Sequence, residues 1–254
     1  MKWFFWVLIF LVFVTPIIFI GKGIDHLDIM KDRYKRALDA GANAAVAYVS
    51  YDNGENMVQI AAAFGEQAIH ANNIVIDKDA ALAWFYRVFY RNLRIENDYT
   101  AQERLKKYIP MKAIVAFDRL MIADLNDDWV FDEFYDIEHN GVKYRFTLSE
   151  RVMRISTGVW GKDTDFGISP SMREALVSEF IRTNLTRFLN NRENFESNNY
   201  YDVNIAVSDI DFKTDDVDGI NFIVLSEGLP LPTLNPYKQG KYFAFSLGGS
   251  EATR

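Results

Sequence analysis

Residues 3–20 read WFFWVLIFLVFVTPIIFI, and residues 21–47 continue as GKGIDHLDIMKDRYKRALDAGANAAVA. The first stretch is apolar apart from Thr15 and Pro16 and carries no charge. A helix needs about 20 mostly apolar residues to cross the hydrocarbon core of a bilayer. The run therefore predicts a short membrane-spanning helix, residues 1–20. A cleaved export signal is the competing reading. It requires a basic start, a shorter apolar core and a small-residue cleavage site. Lys2 supplies one charge, but the apolar stretch is long for a signal core, and only Gly21-Lys22-Gly23 offers small residues. A retained anchor is the expectation. Trp3-Phe4 and Phe5-Trp6 suit an aromatic belt at headgroup level.

The flanking charges pull the other way from an exported head. Lys22, Lys31, Arg33, Lys35 and Arg36 follow the run, against Lys2 before it. Basic residues near a span favour the cytoplasmic side, and acids such as Asp25, Asp28 and Asp32 count for little. Taken literally, the rule puts the large domain in the cytoplasm.

Beyond the run, Ile24, Leu27, Tyr34, Leu38, Gly41 and Ala45 recur at helical spacing and share a face. Residues 37–47 are rich in Ala and Gly, and small residues let a second helix approach closely. A continuous helix from Trp3 to Ser50 would be about 70 Å long, with Pro16 and the Gly21/Gly23 pair as kink points. Residues 21–52 thus read as an amphipathic stalk, closed by the turn chemistry of Tyr51-Asp52-Asn53-Gly54.

Residues 53–254 have the composition of a folded head. Aromatic residues make up 15% of the chain, with 20 Phe and 13 Tyr, enough for a sizeable core. Helices are predicted over 77–93, capped by Asp77, and over 171–190, with Ser169 as cap and Pro170 in the first position. Strands are predicted over 113–123, 143–148, 151–157, 202–212, 220–226 and 241–247. Asn140-Gly141 marks a tight hairpin. Helices and strands do not alternate regularly. The fold class is α+β: a transmembrane helix continuing into a long stalk helix, then a head with a mixed or antiparallel sheet and two further helices.

Chemistry is hard to find. There is no cysteine, which excludes disulfides, thiolate metal sites and cysteine nucleophiles. The formal net charge of −7 argues against a nucleic-acid partner. His26, His70 and His139 are far apart, and none stands at metal-ligand spacing. Asp124, Asn126 and Asp128 fit the first positions of a calcium loop, but Trp129 and Tyr135 stand where glycine and glutamate are needed. That stretch, like Asp215, Asp216 and Asp218, reads as a solvated turn. Asp165-Phe166-Gly167 matches a kinase metal motif with none of its companions. Asn184-Leu185-Thr186 is a glycosylation pattern in mid-helix. No catalytic, cofactor-binding or metal-binding residue is assigned.

Residues 36–45 (RALDAGANAA), 75–81 (VIDKDAA) and the helical segment 85–93 carry a resemblance. Together with the N-terminal run, they resemble pilin-like membrane proteins of the TadE/TadG type, found beside tight-adherence pilus genes in Gram-positive bacteria. The resemblance spans residues 1–95. It implies a non-enzymatic structural subunit or assembly component of a surface filament or of a secretion or conjugation apparatus, with an extracytoplasmic head. The chain departs from processed pilins: no basic leader ending in glycine precedes the run, and no glutamate stands at the fifth position after one. Whether the N-terminal segment is processed is left open by the sequence. The implied partners are membrane lipid, further copies of the chain and the pilus or secretion machinery. The residues expected to anchor and pack are Trp3, Phe4, Trp6, Leu8, Val12, Pro16 and Ile20 in the span, with Leu38, Gly41, Ala44 and Ala45 in the stalk. A monomeric, membrane-tethered binding or sensing module is the alternative.

Overall fold

The computed structural model of the chain describes residues 15–47, 77–191, 221–231 and 240–249. Helix α1 (Thr15–Ala47) continues unbroken past Gly21 and Gly23. Helices α2 (Lys78–Leu93) and α3 (Tyr99–Lys106) follow, then strands β1 (Met111–Val115), β2 (Arg119–Ala123) and β3 (Trp129–Phe134). Next come β4 (Asp136–His139), β5 (Val142–Phe146), β6 (Arg151–Arg154) and β7 (Val159–Lys162). A 3-10 turn (Asp163–Phe166) leads to helix α4 (Pro170–Asn190), and β8 (Asn221–Leu231) and β9 (Gly240–Gly249) complete the order. The class is α+β with two sheets. One has the order β3-β2-β1-β8-β9 and the other β4-β5-β6-β7, and every pairing is antiparallel. The expected strand over 202–212 and the turn at 51–54 lie outside the described residues.

Several boundaries follow from local chemistry. The Asp77 carboxylate accepts from the Ala80 amide at 2.8 Å and starts α2. Ser169 Oγ accepts from the Met172 amide at 3.2 Å, ahead of Pro170, and starts α4. Asn140 and Gly141 take φ of 51° and 75°, the left-handed pair a two-residue hairpin needs between β4 and β5.

Two expectations require correction. The segment 113–123 is not one strand. It is a hairpin, β1 and β2, folding back at Ala116-Phe117-Asp118, with Val115 opposite Leu120. All five residues of β1 are buried, because both faces of the large sheet are covered. A strand buried on both faces loses the alternation that would have shown the break. The head also holds a third helix after α1. That helix, α3, buries none of its residues, so no apolar stripe announces it; Asp98 caps it through the Ala101 amide at 3.0 Å.

The large sheet is the central layer. Ile114, Met121, Phe222 and Val224 face α1 and α2 and join Leu38, Ala45, Phe85 and Phe89 in one core. Met111, Val115, Leu120, Ile122, Ile223 and Leu225 face the other way, into a core with Tyr144, Phe146, Val152 and the α4 residues Val177, Ile181 and Leu185. Tyr135 ties the two sheets together. Its hydroxyl donates to the Ala116 and Arg119 carbonyls at 2.8 Å each, and its own carbonyl accepts from the Phe146 amide.

Candidate functional site

The sequence-expected packing residues divide. Trp3, Phe4, Trp6, Leu8 and Val12 lie outside the described residues. Pro16 and Ile20 fall in the first turns of α1. Leu38 and Ala45 are fully buried, Gly41 is buried, and Ala44 is half-buried. Their partners are within the chain. A Cβ placed on Gly41 would stand 2.9 Å from Phe85 Cδ2 and 3.0 Å from the Phe85 carbonyl oxygen. Gly41 therefore lets α1 lie directly on α2. This corrects the expectation of a stalk whose small residues pack against other subunits: Tyr34, Ala37, Leu38, Gly41, Ala42, Ala45 and Val46 are buried in the head's own core.

That seat is held by rings and by polar contacts at its rim. Tyr34 meets Phe89 edge-on, with ring centroids 5.6 Å apart, and Phe85 stacks on Phe89 and Phe222 at 5.6 and 5.5 Å. Edge-on and offset pairs add about 0.5–1.5 kcal/mol each beyond their area. The Tyr34 hydroxyl and Ser226 Oγ lie 2.7 Å apart, and Ser246 Oγ donates to Asp39 at 2.7 Å, linking α1 to β8 and β9. Arg33 donates to the Leu93 carbonyl at 3.1 Å, at the end of α2 where backbone acceptors are left open. The opposite side of α1 exposes Asp28, Ile29, Asp32 and Arg36 to solvent.

A second cluster was missed from the sequence. Asp127, in the β2–β3 loop at φ 70°, is not simply a solvated turn residue. Lys112 Nζ lies 2.6 Å from Asp127 Oδ1, and Lys106 Nζ lies 2.5 Å from Oδ2. The Tyr86 hydroxyl donates to Oδ1 at 2.8 Å. One carboxylate thus joins α2, α3, β1 and the loop. Lys112 is fully buried and also donates to the carbonyls of Ile109 and Asp124. Burial pushes its ammonium below the ordinary lysine range, against the pull of Asp127. The legible signal was a lysine inside the apolar strand MKAIV.

The remaining motifs resolve into structure. Asp124 Oδ1 accepts from the amides of Asn126 and Asp128, closing the loop on itself. Among the described residues, no group of three His, Cys, Asp or Glu could hold a metal ion. Asp165 accepts from the Lys162 amide, and Gly167 ends the 3-10 turn at φ 73°. Asn184 is buried on α4 and donates to the Phe180 carbonyl. Asp215, Asp216 and Asp218 lie outside the described residues.

Burial also holds the phenols of Tyr86 and Tyr135 well above the ordinary tyrosine range. The folded chain then binds those protons more tightly than the unfolded chain. The associated stability is present below the unfolded value of about 10 and is lost as pH rises above it. In an alkaline titration these tyrosines are expected to ionise only together with loss of the helical circular-dichroism signal. All tyrosines ionising while that signal is unchanged would contradict the assignment.

No family model, no curated protein and no solved structure matches this chain. Function has to be read from the geometry. Among the described residues, no helix is long and apolar enough to cross a membrane; the described part of the apolar run begins at Thr15.

Proposed function

We propose that the chain is a pilin-like structural subunit or assembly component of a cell-surface filament or secretion apparatus. It is anchored by residues 3–20, non-enzymatic, and carries its head outside the cytoplasm. The observation that supports this is the double use of α1. The helix takes in the end of the apolar run, Thr15–Ile20, and buries its distal half in the head core. A tether would need neither the length nor the burial. At about 1.5 Å per residue, such a helix passes load from the run directly into the sheet.

The seat of Gly41 and Ala45 narrows the surface left for self-association. Contacts between copies would use the run and the exposed side of α1 around Ile29, Asp32 and Arg36, with the opposite face, Tyr34, Leu38, Gly41 and Ala45, committed to the head. The test is electron microscopy of the full chain, purified in detergent and then freed of it. Filaments or regular oligomers are the expected result. A uniformly monomeric particle at every concentration overturns the reading and leaves the tethered binding module in its place.

A further inference from the structure

Asp127 and Lys112 are placed for more than an ion pair. We propose that Lys112 Nζ and Asp127 Cγ join in an amide, an internal cross-link between β1 and the β2–β3 loop.

The placement supports each part of the reaction. The Lys112 side chain has no exposed surface, and its Nζ is 2.6 Å from Asp127 Oδ1, so nucleophile and carboxyl group are already in contact. Held contact of this kind removes most of the entropy barrier to a bimolecular step. Tyr86 donates to the oxygen that must leave, at 2.8 Å. Lys106 stands 2.5 Å from the other oxygen, where negative charge develops during attack. Desolvation disfavours the ammonium form of the buried Lys112, against the pull of Asp127. The Asp127 side chain is 17% exposed, which gives the released water a way out.

The step balances without a further reagent. The ion pair shares its proton to become amine and carboxylic acid. Nζ attacks Cγ and forms the new C–N bond. Lys106 faces the oxyanion on Oδ2. One proton passes from Nζ through the Tyr86 oxygen to the Oδ1 hydroxyl, the Cγ–Oδ1 bond breaks, and water departs. No atom is oxidised or reduced. The product amide closes a loop in a chain that has no cysteine with which to make a disulfide, and closing a loop restricts the unfolded chain. The bond does not depend on polymerisation, and neither does its test.

The experiment is the intact mass of the denatured full chain, with fragmentation to locate any link. The expected mass is one water lighter than the sequence requires, the fragments joining Lys112 to Asp127, with the full sequence mass restored in Lys112→Met. A wild-type chain at full sequence mass overturns the proposal. So does a water loss that persists in Lys112→Met, or one whose fragments place it elsewhere; the wild-type fragments decide the matter even if that variant fails to fold.

Discussion

Gly41→Val is expected to lower the melting temperature of the head by about 6–12 °C, from an overpacking cost of about 3 kcal/mol on the scale of roughly 2–4 °C per kcal/mol for a domain of this size. The position has no room for a side chain. Its Cβ would stand 2.9 and 3.0 Å from two carbons of the Phe85 ring and 3.0 Å from the Phe85 carbonyl oxygen. The ring is fully buried and stacked on both Phe89 and Phe222, so it has nowhere to turn. The carbonyl belongs to the backbone of α2 and cannot yield alone. The seam between α1 and α2 must open.

Two opposing effects set the size. Glycine inside a helix is about 1 kcal/mol worse than alanine, so any side chain recovers part of the loss. Overpacking a close-packed core typically costs about 1–3 kcal/mol. For Gly41→Ala the two nearly offset, and a small destabilisation is expected. Valine adds two more methyl groups to the clash, and its branched Cβ weakens the helix gain. Thermal melts followed by circular dichroism check the series glycine, alanine, valine. A valine variant melting with the wild type would mean that α1 does not lie on α2 through Gly41.

The same contact shows what the sequence could and could not reveal. The face Tyr34, Leu38, Gly41, Ala45 was legible from its period, and those residues are buried in the structure. Its partner was not legible. Small residues say that another helix comes close, and nothing in their spacing says whether that helix belongs to the same chain. Caps were read well, because Asp77, Ser169 and Asn140-Gly141 act on groups within a few residues. The β1–β2 hairpin was hidden by burial on both faces, and α3 by having no fully buried residue to mark a stripe. The Asp127 cluster draws residues from four elements, Tyr86, Lys106, Lys112 and the loop. No local pattern encodes such a meeting. Only the lysine misplaced in an apolar strand hinted at it.

Leu8→Arg is expected to abolish assembly of the full chain while leaving the head folded. The argument starts from what can hold such helices together. In lipid, packed side chains and close backbone approach drive association, because lipid tails are as apolar as leucine. In a polymer the same residue recurs at every subunit, so one arginine becomes a repeated row of like charges. Two unit charges about 8 Å apart repel by roughly 2 kcal/mol at an effective dielectric of 20, and each subunit meets more than one neighbour. The run holds no acid to pair with them. Placing the charge in hydrocarbon costs a further ~2.5–3.5 kcal/mol. The head should not respond, because the part of α1 seen packed in its core, from Tyr34 to Val46, lies several turns beyond Leu8. The measurement pairs electron microscopy of detergent-purified protein with a melt of the same sample, so that an unfolded head is not mistaken for failed assembly. Leu8→Val, which keeps the surface apolar, should still assemble. Filaments formed by Leu8→Arg at the wild-type level would rule out residues 3–20 as the assembly surface.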